Sequence, residues 1–514
     1  MNVPALGAFI VAGLPAAAAR HDAAGGITAT IGKIVCASIS KTTDEQRRRW
    51  GETLSAPQAR PAMSTQPNIL FFQVDNLGCG ELSCYTGGPF RGTWTKRIDQ
   101  FARQGLRLTN YSPEAQCTPS RSALLTGRHA IRSGTHSVPI GAPGGWGLVK
   151  WERTIADLLS EAGYACAAYG KWHVGEGEGR WPTDKGFDEW YGPPRTYDEA
   201  LWPADPWYDP KRDPVPYMLE VRKGDQAPTE RDRLTLEVRR DCDAEYLQRA
   251  TTFIETQTAA QRPFFVYFNH SLMHMPVLPR LEYEGVTGQG PWADSLAELD
   301  GDFGQLLDLI ERLGATDNTI IVFAGDNGPE EVLLWRGSPG AWRGSYFAGG
   351  EGNLRTPCIV RWPGHVAPEH ASNDIMHITD WFTTLLHMAG VAIPEDRQID
   401  GVDQIEWLTG GSDRSAREGY LYWMGPELYG VKWQDFKLVM VSQEFSTDAP
   451  QRLSAPRIIN LVTDPHEREP VSLPHVHSWT ATHFNRLISQ FHASTQNEPP
   501  IPAGSPLGYM PGRG

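Results

Sequence analysis

Residues 69–74 read Ile-Leu-Phe-Phe-Gln-Val and run straight into Asp75-Asn76-Leu77-Gly78. A continuous apolar run of this kind, without polar–apolar alternation, is expected of a strand in a parallel sheet whose two faces are both covered by helices. The same texture returns at residues 264–268 (FFVYF) and 320–323 (IIVF), and more weakly at 358–360 (CIV). Helical periodicity fills the intervals, at 120–127, 154–161, 243–256 and 296–313. Strands alternating with helices predict an α/β fold: a large, mostly parallel sheet sandwiched by helices.

After about Gly401 the pattern changes to short candidate strands at 419–423, 430–432, 436–441 and 457–461, followed by a helix near 482–491. The expected organisation is therefore a main domain over residues 64–400 and a small C-terminal antiparallel sheet plus helix over 401–514. The last 17 residues hold nine Pro or Gly and predict a tail that is either wrapped or loose. Residues 1–63 read as an N-terminal extension. Asn2 to Ala19 carries no charge and ends in Pro15-Ala16-Ala17-Ala18-Ala19, which resembles a signal cleavage region but has no basic residue ahead of it. Translation starting at Met63 and a cytoplasmic location are the expectation. A periplasmic or secreted protein is the alternative if the apolar stretch acts as a signal. Integral membrane association is not expected, because 18 residues with two prolines make a marginal span.

Composition narrows the function. The 514 residues carry 47 Lys+Arg against 61 Asp+Glu, a net charge of −14, and no basic stripe, so nucleic acid is excluded as a partner. Seven cysteines at irregular spacing are neither a disulfide framework nor a CxxC metal clip. Glycine (52) and proline (40) exceed their usual shares of about 7% and 5%, which points to ordered loops, where sites are built.

Two strands end alike, in Asp75-Asn76-Leu77-Gly78 and in Asp326-Asn327-Gly328. In a parallel sheet, ligands bind beyond the carboxyl ends of the strands, so these pairs bring hard oxygens to one place and suit Ca²⁺ or Mg²⁺. Alternatively, each pair merely makes a turn or caps a helix. Cys117-Thr118-Pro119-Ser120-Arg121 opens a helix, where the dipole favours anions and lowers a thiol pKa. Three residues between Cys117 and Arg121 are too few for a cysteine phosphatase loop, which needs five. Lys171 and His173 follow the apolar segment 164–169, and His270 and His274 follow FFVYF. The aromatic residues Trp190, Tyr191, Tyr197, Trp202, Trp207 and Tyr208 either wall a pocket for a sugar or aryl group or pack an irregular loop.

Together these residues resemble the type I, formylglycine-dependent sulfatases, which are arylsulfatase-like members of the alkaline phosphatase superfamily. The carriers are CTPSR followed by LLTGR, the strand-end Asp75, GKWH, DNG, the segment Glu351-Gly352-Asn353-Leu354-Arg355-Thr356-Pro357, and Asn460-Leu461 with Asp464-Pro465. The resemblance spans residues 67–473 and implies hydrolysis of an aryl or carbohydrate sulfate ester. It implies that a maturation enzyme converts Cys117 to formylglycine, and that Asp75, Asn76, Cys117, Asp326 and Asn327 bind a divalent metal, Ca²⁺ before Mg²⁺. By the same match Arg121 and Lys171 contact the nucleophile and sulfate, His173 steadies the hydrate, His274 contacts sulfate and Thr196 supplies a minor hydroxyl. A hydrated aldehyde has two hydroxyls, one to attack sulfur and one to expel sulfate, and the pocket is expected to be locally cationic.

Two positions depart from the family pattern: Asn76 replaces an aspartate, and Tyr346 stands where a leaving-group lysine is usual. Tyr346, Arg343 and His274 are the candidates for the leaving-group side, with His274 preferred as general acid. A phosphonate or phosphate ester hydrolase on the same fold and a non-catalytic binding homologue are the competing readings.

Overall fold

The protein was analysed as a computed structural model that describes residues 66–139, 146–468 and 476–512. They belong to one compact unit spanning Met63–Gly514. The expected extension and start site at residues 1–63 lie outside the described residues.

Sixteen strands are described: β1 (Asn68–Val74), β2 (Leu106–Leu108), β3 (Tyr111–Ser112), β4 (Ala165–Gly170), β5 (Glu189–Gly192), β6 (Tyr217–Arg222), β7 (Thr229–Arg233), β8 (Phe264–His270), β9 (Thr319–Gly325), β10 (Cys358–Arg361), β11 (His370–Ser372), β12 (Met376–His377), β13 (Gly419–Met424), β14 (Glu427–Trp433), β15 (Phe436–Ser442) and β16 (Gln451–Asn460). Ten of them form one sheet in the order β11-β2-β10-β9-β1-β8-β4-β5-β6-β7. The middle of that sheet, from β9 through β1, β8 and β4 to β5, is parallel throughout. β10 joins it antiparallel to β9, and β6 and β7 close the far edge as an antiparallel hairpin.

The apolar runs occupy the middle of the sheet because strand side chains alternate between faces and both faces are covered. Ile69 and Phe71 of β1 pack into one layer with Leu124, Ile155, Trp381 and Phe382. Leu70, Phe72 and Val74 pack into the other with Phe101, Tyr246, Phe253 and Phe303. Helices Cys117–Thr126, Ile155–Glu161 and Asp380–Met388 supply the first layer. Helices Lys96–Arg103, Leu236–Ala259 and Pro291–Arg312 supply the second.

The C-terminal region forms a four-stranded antiparallel sheet, β13-β14-β15-β16, with helix Ala481–Asn497 packed on it through Phe484 and Phe491. The tail is wrapped: Ile501 N–H donates to the Arg132 carbonyl (2.8 Å), and Lys150 N–H donates to that of Leu507 (2.9 Å). The six described cysteines are free thiols, and no described helix is long and apolar enough to cross a membrane.

A buried ion cluster joins the small sheet to the main one. Glu351 Oε2 accepts from Arg355 Nε and from Lys432 Nζ of β14, while Lys437 Nζ of β15 lies 3.2 Å from Oε1. Lys437 also bonds Glu467 Oε1 (2.7 Å), and Glu467 Oε2 accepts from the Glu351 N–H (2.7 Å). Burial alone would raise the Glu351 carboxyl, but Lys432, Lys437 and Arg355 outweigh it and hold it well below the usual range. Burial and the charge of Arg355 bring Lys432 down to about 7. Removing one partner of such a cluster strands the rest uncompensated. Glu351→Ala is therefore expected to cost about 3–5 kcal/mol of unfolding free energy in urea titration. A loss under about 1 kcal/mol would mean that the cluster does not hold the small sheet.

Candidate active site

The strands β9, β1, β8 and β4 are neighbours and parallel, so their carboxyl ends open at one place. Each delivers polar residues there: Asp326 and Asn327 after β9, Asp75 and Asn76 after β1, Asn269 in β8, and Lys171 after β4. The turn after β4 requires Gly170, which has φ +94° and the Asn269 carbonyl oxygen 2.1 Å from where a Cβ would stand. Asn76 and His173 both adopt φ 56°, a left-handed conformation that asparagine tolerates better than most residues. For His173 it is a strained geometry of the kind that clusters at functional sites.

Arg121 binds these strand ends together. It lies on the first turns of helix Cys117–Thr126, all of whose residues are buried. Its Nη2 donates to Asp75 Oδ2 (3.1 Å) and Asp326 Oδ2 (2.9 Å), and its Nη1 to Asn269 Oδ1 (2.7 Å) and the Lys171 carbonyl (2.9 Å). Lys171 Nζ adds a bond to Asp75 Oδ2 (3.0 Å). Burial pushes the Asp75 carboxyl up, but Lys171, His274 and Arg121 outweigh it and hold it below the usual carboxylate range. Asp326 goes the other way: burial and the neighbouring charge of Asp75 raise it to about 6.

Cys117 is the first residue of its helix and is 2% exposed, with Sγ 3.5 Å from Asp75 Oδ1. The helix begins at Cys117, as expected of its opening CTPSR and three residues ahead of the helical pattern at 120–127. Its N-cap is Gln116, which makes no capping bond and instead donates from Nε2 to the Tyr346 hydroxyl (3.1 Å). The expected fall in the Cys117 thiol pKa is overturned. Burial, reinforced by the charges of Asp75 and Asp326, raises it well above the ordinary thiol value and outweighs Lys171 and Arg121. As a thiol, position 117 is a poor nucleophile.

The donor set fits a hard divalent cation. Asn327 Oδ1 is buried without a hydrogen-bond partner, and Asp326 Oδ1 and Asp75 Oδ1 face Asn76 N–H and Cys117 rather than the cations. Asn76 Oδ1 meets Asn327 Nδ2 at 2.5 Å, so all four oxygen-bearing side chains converge. Asp75, Cys117 and His274 also bring donor atoms within 4.8 Å of one another. A second buried group, Glu114, His129 and His377, lines no part of the cleft and has internal partners: Glu114 Oε1 meets His129 Nδ1 (2.9 Å), and His377 Nδ1 meets Thr379 Oγ1 (2.9 Å).

Above this floor opens a cleft of about 700 Å³. Cys117, Lys171, His173, Thr196, His274 and Tyr346 all line it. His173 is held neutral, since burial and the charges of Lys171 and Arg121 push its pKa well below the usual range. His274 commits Nδ1 to the Met275 carbonyl (2.7 Å) and turns Nε2 toward Thr196 Oγ1 (3.2 Å), whose hydroxyl donates to Asp198. Burial keeps the Tyr346 phenol protonated and able to donate. His270, the other histidine after FFVYF, faces away from the cleft, with Nε2 3.2 Å from Asp302 Oδ2.

One expectation needs correction. Arg343 does not reach the cleft: it bonds Glu444 and the Glu467 carbonyl (3.0 Å), because its segment leans on the C-terminal sheet. Of the two readings of the six aromatics, packing holds for most of them, and only Trp202 lines the cleft. Trp190, Tyr191 and Tyr197 are buried, Tyr208 packs beside Trp202, and Trp207 is 90% exposed. The cations Arg121 and Lys171 sit at the floor, and Arg195, paired with Glu199 (2.8 Å), lines the cleft together with Asp198, Arg212 and Asp213. Sequence reasoning missed Asn269, Gln116 and Glu330. Glu330 lies three residues past Asn327, accepts from Asn76 Nδ2 (2.8 Å) and stands 4.0 Å from His274 Nε2. Its one visible signal is a carboxylate placed directly after the strand-end DNG turn.

Comparison with known proteins agrees with this geometry. The sulfatase family profile matches residues 67–391, and a profile described as N-sulphoglucosamine sulphohydrolase, C-terminal, matches residues 349–490. N-acetylgalactosamine-6-sulfatase of Canis lupus familiaris is 32% identical over 449 residues, covering 79% of this chain and 82% of that protein. Arylsulfatase A of Homo sapiens is 33% identical over 384 residues, covering 72% and 73%. The crystal structure of the PsFucS1 sulfatase from Pseudoalteromonas sp. superposes with a TM-score of 0.80 at 29% identity, covering 85% of this chain and 92% of that one. The profile match over residues 67–391 and the identity to these relatives make the chain a member of the sulfatase family, a sulfuric ester hydrolase on the alkaline-phosphatase-like fold.

Proposed function

We propose that the chain releases inorganic sulfate from a carbohydrate sulfate, with a formylglycine made from Cys117 by a maturation enzyme and with one divalent cation, Ca²⁺ in preference to Mg²⁺. The observation that carries this reading is the cleft floor, where Cys117 lies against Asp75, and Arg121 and Lys171 bond the strand-end oxygens of Asp75 and Asp326. Asp75, Asn76, Asp326 and Asn327 would hold the cation, which supplies positive charge beneath the sulfuryl oxygens. Four protein oxygens favour Ca²⁺, because Mg²⁺ usually keeps several of its waters. As a hydrated aldehyde, position 117 supplies hydroxyl oxygens in place of a thiol that burial makes inert.

The remaining roles belong to the chain's own side chains. Arg121 and Lys171, already oriented by Asp75, stabilise the charge that develops on the sulfuryl oxygens without reorganising during the reaction. Neutral His173 accepts a hydrogen bond from the hydrate at position 117 and steadies it. His274 offers a proton from Nε2 to the departing oxygen, while its Nδ1–H stays on the Met275 carbonyl. The Tyr346 hydroxyl, oriented by Gln116, donates a hydrogen bond on the same side. A saccharide is favoured over an aryl group by the charged residues Arg195, Asp198, Glu199, Arg212 and Asp213 that line the cleft, and by the name of the relatives at 32% identity.

Two outcomes are expected. Mass spectrometry of the peptide bearing Cys117, from protein produced with a maturation enzyme, should find an aldehyde. An unmodified thiol in fully active protein would remove position 117 from the nucleophile role. Sulfate release from N-acetylgalactosamine 6-sulfate should be suppressed by a chelator, restored by Ca²⁺, and lowered in kcat by about 10²–10³-fold in Arg121→Ala. Faster turnover of a phosphonate monoester than of any sulfate ester would reassign the substrate.

A further inference from the structure

His274 stands on residues 271–274, beyond the last paired residue of β8, where one backbone bond, from the Met273 N–H to the Asp75 carbonyl (2.9 Å), still ties the segment to the end of β1. Helix Leu236–Ala259 holds its two ends. Arg239, 0% exposed, donates from Nη1 to Ser271 Oγ (2.6 Å) and from Nη2 to the carbonyls of Ser271 (3.2 Å) and His274 (2.8 Å). One turn on, Asp243 accepts from the Ser271 N–H (2.8 Å) and from its hydroxyl. The Arg239 guanidinium also lies 4.7 Å over the ring of Tyr197, which meets the His274 imidazole edge-on at 6.0 Å. The Tyr197 hydroxyl in turn accepts from the Lys171 N–H (3.2 Å). One buried guanidinium thus grips both ends of the segment carrying His274 and, through Tyr197, connects it to the floor of the cleft.

We propose that Arg239 is a positioning residue that sets where His274 stands relative to the departing oxygen, and so decides which esters the enzyme turns over. The inference rests on the sulfate-ester reading of the site. Arg239 lines no part of the cleft and touches no reacting atom; it acts through the His274 carbonyl. Proton donation matters in proportion to the basicity of the leaving group. A sugar alkoxide needs the proton, whereas a nitrophenolate leaves without it. A misplaced His274 therefore costs rate on sugar sulfates and spares activated aryl sulfates, while ground-state binding by Arg121 and Lys171 is unchanged.

The test compares wild type, Arg239→Gln, Arg239→Lys and Ser271→Ala on N-acetylgalactosamine 6-sulfate and on para-nitrophenyl sulfate, with thermal melting as a check on folding. Arg239→Gln is expected to lower kcat on the sugar sulfate by about 100-fold, since misplacements of about 1 Å cost that much. It should lower kcat on the aryl sulfate by less than about 5-fold, with KM for both unchanged within about twofold. Arg239→Lys should recover part of the loss. Ser271→Ala removes one of the three acceptors without stranding the guanidinium, so it should give the same pattern at smaller size even if the Gln variant fails to fold. Equal fractional losses on both substrates, or a loss confined to KM, would overturn the proposal. Wild-type protein inert toward both sulfates would instead overturn the reading on which it rests.

Discussion

One guanidinium holds the active site together. Arg121 is buried among two carboxylates, an amide oxygen and a backbone carbonyl, and each comes from the end of a different strand or the turn after it. A charge so deep is tolerable only when fully paired, because desolvation of an isolated ion would cost more than the fold can recover. The requirement runs in both directions. Asp75 and Asp326 stay at the sheet's carboxyl edge because Arg121 needs them, and β1 and β9 must be neighbours for both to reach it. The parallel order at the centre of the sheet is thus a condition of charge balance as well as of apolar packing.

The two sides of the cleft are built differently. The floor stands on strand ends and one helix, all with apolar layers behind them. The other side is carried by loops: Thr196 precedes a short 3-10 helix, His274 follows β8, and Tyr346 and Glu330 lie between β9 and β10. That last connection is held by Tyr346 N–H on the Pro329 carbonyl (2.8 Å) and by Glu351, whose charge is matched by lysines from the C-terminal sheet. The small sheet therefore contributes to the cleft at a distance, by fixing a loop it does not enter.

How much of this was legible in the sequence depended on whether a residue's partner was close in the chain. The strands β1, β8 and β9 were readable because burial on both faces leaves an unbroken apolar signature. The β6–β7 hairpin was not: β7 reads Thr-Glu-Arg-Asp-Arg, is exposed along its whole length and carries no period. Asp75, Asp326, Cys117 and Lys171 announced themselves as polar residues at strand or helix ends. Arg343 misled because nearness to Tyr346 in sequence says nothing about direction, and its guanidinium is drawn off by Glu444. Glu330 pairs with Asn76 across 254 residues and Arg239 with Ser271 across 32, separations at which only the folded chain defines a neighbour.

The order of strands in the sheet also fixes an order in time. Cys117 is 2% exposed in the finished fold, enclosed by side chains that follow β4, β8 and β9 as well as β1. Those later strands are made long after it: 147 residues separate Cys117 from Phe264, the first residue of β8. At synthesis rates of about 5–20 residues per second, the cysteine leaves the ribosome roughly 7–30 s before the strand that closes over it exists. The interleaved topology that ends by hiding this side chain therefore first leaves it for seconds in an open, unfinished chain.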